Sequence, residues 1–211
     1  DIDLSSLLFD ASWNYKEHIS YTNLKSEKYR AFHSGDITSA PNGACEFIDI
    51  DIPSFIQYGG RYIIMNVYSF TSHPYCDLPE CFAGWMMRKE PNSGEIFEPK
   101  TVVDKVDLTS DTKICLPVIL DLEKRELIWA DISMNAFPNY NINVEGNLSG
   151  VTLMGKAICS LSKTSLFNLF ELHALARGIL TDSKATADVV FSEKEGITPF
   201  DIEKIMAEFM I

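Results

Sequence analysis

The sequence predicts a mainly β protein: a two-sheet antiparallel β-sandwich, with a barrel as the alternative, followed by a C-terminal α-helical extension. Three observations predict it. Apolar residues recur with period two in short runs up to about residue 134, polar turn residues separate those runs, and from about residue 143 the apolar spacing changes to three and four. The sandwich is assigned to residues 1–140 with N-terminal strands missing, and the helical extension, packed on it, to residues 141–211.

The first strand carries Ile2, Leu4, Ser6 and Leu8 on one face. In Glu46–Ile52 the isoleucines 48, 50 and 52 face inward while Asp49 and Asp51 face water. Tyr62–Tyr68 is apolar on both parities, as a central strand is, and Gly59-Gly60 forms the turn before it. Phe82–Arg88 reads as a strand ending in a turn at 89–94. Lys113–Leu120 and Leu127–Ile132 form a hairpin around a polar turn. In the helical part, Val144, Leu148, Val151, Met154 and Ile158 form a stripe, interrupted by glycines that each cost about 1 kcal/mol relative to alanine. Thr164 is expected to cap a helix over 166–177 that stops at Gly178. Thr198 is expected to cap a last helix with Pro199 in its first position and a stripe of Ile202, Ile205, Met206 and Phe209.

Composition narrows the function. Thirty acidic against 18 basic side chains give a net charge of −12, which argues against nucleic acid as a partner and suits cation binding or a basic partner. An apolar fraction of 46% excludes a disordered chain. The longest apolar run, Ile114–Leu120, is far short of the roughly 18 residues that span a bilayer. Five cysteines cannot all pair internally and lie in apolar stretches, so reduced thiols and a cytoplasmic location are expected. Asp1 falls inside an alternating strand pattern, with no initiator Met and no basic leader. The expectation is a fragment of a longer chain whose other domains, or a protein partner, it contacts.

The most informative stretch is His33-Ser-Gly-Asp-Ile-Thr-Ser-Ala-Pro-Asn-Gly-Ala-Cys-Glu46. Asp36 and Glu46 lie at opposite mouths of one glycine-containing loop, with Thr38 and Asn42 as further oxygens. Calcium takes six to eight oxygens at about 2.3–2.6 Å, and such a loop can supply several; the alternative is a surface loop in which Asp36 caps a turn. His33-Ser-Gly-Asp36, Thr38, the Gly43-x-x-Glu46 ending and the Ile-Asp-Ile strand resemble the tellurite-resistance TerD family. So do Asp1–Asp10, Ser20–Leu24, which the resemblance makes the following strand, the central strand and the hairpin containing Trp129, which together cover residues 1–134. Cys81–Met86, 93–99 and Leu169–Ala174 resemble a variant at the C-terminal end of longer multidomain bacterial proteins.

The resemblance implies a calcium-associated, non-catalytic cytosolic module for resistance to tellurite, phage or chemical stress. It places the metal on Asp36 and Glu46, with Asn42 and Asp3 as the remaining candidates. Ala44-Cys45 stands where the family has an Asp-Asp pair, and Ser69 where it often has Asp. The expected affinity is therefore weak, about 10⁻⁴–10⁻³ M, unless Asp1, Asp3 or Asp10 joins the site. The alternative function is a metal-free protein-interaction module of a larger protein, for which Trp85, Met86, Met87, Phe97, Phe137 and Tyr140 would supply contacts. Two further constellations carry less. His73, Cys76 and Cys81 match no common zinc spacing. A catalytic reading of His33 with Cys45, Cys81 or Ser34 and Asp36 has no nucleophile elbow.

Overall fold

A computed structural model describes residues 1–87, 99–134, 144–161 and 164–210. The turn at 89–94 and the residues Phe97, Phe137 and Tyr140 lie outside the described residues. The fold is mainly β, 35% strand and 26% helix. The chain forms two compact units, Asp1–Ser160 and Leu161–Ile211.

The first unit is built on a five-stranded antiparallel sheet. Its strands are β1 (Ile2–Asp10), β2 (Tyr15–Ile19), β6 (Gly60–Ser69), β9 (Ile114–Asp121) and β10 (Glu126–Met134), in the order β10-β9-β6-β1-β2. The doubly apolar run at 62–68 is central as expected, flanked by β1 and β9. β2 pairs with β1 only between Ser6 and Phe9, so the first residues of β1 have no strand on that side among the described residues. A three-stranded sheet holds β3 (Lys25–Ser26), β4 (Ala31–His33) and β5 (Ile48–Ile50); a two-stranded one holds β7 (Phe82–Met86) and β8 (Val102–Asp107). None of these sheets closes on itself.

Two local readings change. Alternation at 46–52 stops at Ile50, because Asp51 caps a short helix, α1 (Ile52–Gln57), accepting the Ser54 N–H at 2.8 Å with proline in the first turn. Ser20–Leu24 is a tight turn, with Ser20 and Asn23 exchanging backbone hydrogen bonds at 3.1 and 3.0 Å.

Helix α2 (Val144–Ser160) packs on the large sheet. Leu148, Val151, Met154 and Ile158 from the predicted stripe meet Leu7, Phe9, Tyr62, Ile64, Leu116 and Ile119. Gly155 is required by this contact. A Cβ there would lie 2.6 Å from the Trp13 ring, which stacks on Tyr62 at 4.1 Å. On the opposite face, Leu8 and Ile63 pack with Tyr29 and Phe55, and Val67 and Cys115 with Tyr75, Ala83 and Val106. At the outer strand, β10 bulges between Trp129 and Ile132, and Asp131 takes a left-handed conformation (φ 45°).

In the second unit, α3 (Leu166–Arg177) is capped by Ser165 and not by Thr164. Ser165 and Asn168, three positions on, exchange the two bonds of a capping box, which Thr164 is out of register to make. The last helix, α4 (Ile202–Phe209), starts three residues later than the Thr198–Pro199 pattern predicts. Asp201 accepts hydrogen bonds from the Thr198 N–H and hydroxyl, holding Pro199 and Phe200 in a turn. Phe170, Phe191, Ile197, Ile205 and Phe209 form its core, while Ile202 and Met206 from the expected stripe are exposed.

One buried ion pair ties the central strand to the hairpin turn. Arg61 donates to both Asp121 oxygens, at 3.0 and 2.9 Å, and Asp121 also accepts from the Glu123 and Lys124 N–H groups. Asp121 is 1% exposed. Asp121→Ala is expected to lower unfolding free energy by about 1–3 kcal/mol, since it leaves two amides without an acceptor and the Arg61 guanidinium with Glu123 alone. Urea unfolding measures it; a loss below about 1 kcal/mol would mean the pair acts as a surface one.

Candidate cation site

The loop from His33 to Glu46 returns to the sheet beside the part of β1 that β2 does not cover. There the backbone N–H and carbonyl of Leu4 meet side chains where a strand would otherwise stand. The Leu4 N–H donates to Glu46 Oε2 at 2.9 Å, and the Leu4 carbonyl is 3.0 Å from His33 Nε2. His33 Nδ1 accepts the Gly35 N–H at 3.1 Å, so the ring hydrogen sits on Nε2 and points at Leu4. Gly35 makes that contact with φ 120°, a conformation that suits glycine alone. The other Glu46 oxygen, Oε1, accepts the Ile37 N–H at 2.9 Å. The Ser34 hydroxyl accepts the Phe47 N–H at 2.9 Å and closes the loop base.

This crossing brings Asp36 against the start of β1. One carboxylate oxygen from each of Asp1, Asp3 and Asp36 lies within 4.8 Å of the others, the only such acidic or thiol/imidazole group among the described residues. Asp1 and Asp3 share a face because they stand two apart on an extended chain. Asp3 is 5% exposed, and among the described residues its Oδ2 has no hydrogen-bond partner; neither has Asp1 Oδ1. Burial, reinforced by the charges of Glu46 and Asp36 and opposed by the terminal ammonium, pushes the Asp3 carboxyl up to about 6. Beside it lies a pocket of about 10 Å³, lined by Asp3, Ser5, Ser20, Tyr21, Asn66 and Tyr68, roughly the room one water needs. Burial, with Asp3 adding to it, also pushes Tyr68 up to about 12.

Of the four residues expected from sequence, Asp3 and Asp36 converge. Glu46 lies next to them with both oxygens engaged by backbone, and Asn42 lies on an exposed turn. Asp1 joins the group although the ligand set from sequence omits it; the Asp1-x-Asp3 spacing was its signal. Asp10 is at the far end of β1, where its carboxylate binds Ser12, Asn14 and Lys16 and shapes the turn into β2.

The other constellations do not assemble. His73 faces Thr71 at 3.3 Å, and Cys76 lies beside Asp77 and Asp111. His33 has both ring nitrogens committed. Burial raises the Cys45 thiol, with Glu46 adding to it, and burial raises Cys81. That is the reverse of what a thiolate nucleophile needs. All five cysteines are free.

The arrangement suits a hard cation: three carboxylates with converging oxygens, two of them carrying a buried oxygen that no donor among the described residues satisfies. No protein-family model matches the chain, and no curated protein matches it. The likeness to TerD domains rests on the motifs quoted above.

Because the native state holds the Asp3 proton more tightly than the unfolded chain, metal-free protein should lose stability as pH rises from about 4 to about 6. The loss should be no more than about 3 kcal/mol. Asp3→Asn should flatten this part of the profile. Chemical denaturation of both proteins in chelator at several pH values measures the difference. Identical profiles would mean that Asp3 carries no burial penalty.

Proposed function

We propose that the chain is a non-catalytic calcium-binding β-module in which Asp1, Asp3 and Asp36 hold the ion. The observation that carries this reading is the Asp3 carboxylate, buried, lacking a donor on Oδ2 and pointed at two further carboxylates. A buried carboxylate in that setting is costly unless something positive completes it. Calcium fits better than magnesium: three carboxylates in a loop-and-strand setting supply several irregularly placed oxygens, while magnesium usually takes one or two carboxylates and keeps its waters. Ligand-linked stabilisation follows, since an ion that binds only the folded state stabilises it by mass action and ties the 34–46 loop to β1. The TerD-like motifs favour a β-sandwich and a place in a cytosolic response to tellurite or other chemical stress, within a larger protein.

The exposed apolar side chains of the second unit, among them Phe167, Ile179 and Phe200, favour a second reading, that of an interaction module. Metal dependence separates the two. Millimolar calcium is expected to raise the unfolding midpoint of chelated protein, and Asp36→Ala to abolish the rise. Asp3→Asn should abolish it too, yet raise the midpoint in chelator above pH 6, because it removes a buried charge. Differential scanning calorimetry at pH 7 checks all three. A wild-type midpoint indifferent to calcium leaves the interaction module.

A further inference from the structure

We infer that Glu46 serves the cation site as a positioning residue and not as a ligand, by holding the peptide N–H groups that directly follow Asp3 and Asp36. The inference rests on the calcium reading above. One carboxylate spans two chain segments remote in sequence: Oε2 takes the N–H of Leu4 and Oε1 that of Ile37, each at 2.9 Å. Each donor is one peptide bond from a proposed ligand, so the two bonds set how far apart Asp3 and Asp36 lie. The Glu46 side chain is 6% exposed and His33 Nε2 lies 3.5 Å from Oε2, which closes that side. His33 grips the Leu4 carbonyl from the same side, so the peptide planes before and after Leu4 are each held at one polar atom, the first of them directly following Asp3.

Two facts separate this role from ligation. Among the described residues the convergent oxygens belong to Asp1, Asp3 and Asp36, and Glu46 contributes none. Each Glu46 oxygen also already accepts a part-buried amide, so an ion there would have to share its oxygen with that donor. The charge of Glu46 still reaches the site, since it is one of the groups that disfavour the ionised Asp3.

Glu46→Gln tests the assignment, because an amide has one acceptor oxygen and would set its NH₂ against the second peptide donor. Terbium(III) is the probe. Titration gives affinity, and luminescence decay in H₂O and D₂O counts the waters on the bound ion. Glu46→Gln is expected to weaken terbium binding by about ten- to a hundredfold, the worth of one charge-assisted hydrogen bond, with the wild-type water count at saturation. Asp36→Ala, which removes a ligand, is expected to weaken binding and raise the count. A raised count in Glu46→Gln would make Glu46 a ligand, and wild-type affinity would make it a bystander; either overturns the inference. Failure of the wild-type protein to bind terbium overturns the calcium reading itself, and is a separate result. Should Glu46→Gln not fold, Ile37→Pro deletes one of the two donors and keeps the carboxylate. Weaker binding with an unchanged count is again expected, and unchanged affinity overturns the assignment.

Discussion

The site end of the molecule depends on the two backbone polar groups of Leu4, its N–H and its carbonyl, and on how they are satisfied. β2 turns away from β1 at Ser20, leaving the N–H and carbonyl of Leu4 facing outward on an otherwise internal strand. Buried backbone groups must bond to something, and here they bond to Glu46 and His33, side chains from a loop that begins and ends at the small sheet. The requirement of the backbone thereby fixes the path of the loop, and the path of the loop decides where Asp36 stands. Acidic residues that repel one another are held together by hydrogen bonds to the chain beside them.

The large sheet shows the same division of labour along its length. Under α2 the face formed by Leu7, Phe9, Tyr62 and Ile64 is apolar and closed. Further along the same two strands, Ser5 and Asp3 oppose Asn66 and Tyr68, and the face becomes polar just where the helix no longer covers it. The strand pair thus changes from a structural surface to a chemical one within four residues, with no change in backbone geometry.

Period-two and three-four patterns disclosed the elements whose environment is local: β6 through its apolar run, the β9–β10 hairpin through its turn, and the face of α2 through its stripe. They missed α1, because Ile48-Asp-Ile-Asp-Ile52 keeps alternating past the strand end; the correct signal was Asp51 followed by proline. They missed the cap of α3 by one residue, since Thr164 and Ser165 offer the same hydroxyl and only the spacing to Asn168 separates them. At the site, the closeness of Asp36 and Glu46 was legible because both sit in one loop. Their difference in role was not. It depends on which backbone donors each carboxylate meets, and those come from β1, remote in sequence. Asp1 and Asp3 were visible as a pair on one strand face, but no local pattern says which loop lies opposite them.

Among the described residues no further strand stands beside β10 or β2, and a sheet with such edges can go on growing, since each outer strand presents unpaired peptide groups to any strand that arrives. In β10 the outward row is broken where Asp131 swings into the left-handed region and the ladder skips between Trp129 and Ile132. An incoming strand would find the spacing of donors and acceptors interrupted midway, beside the exposed Trp129 that would otherwise reward its arrival. β2 offers only five residues, with Lys16 and Glu17 among them. The kink in β10 thus works against strand-by-strand growth at the border where Trp129 is exposed.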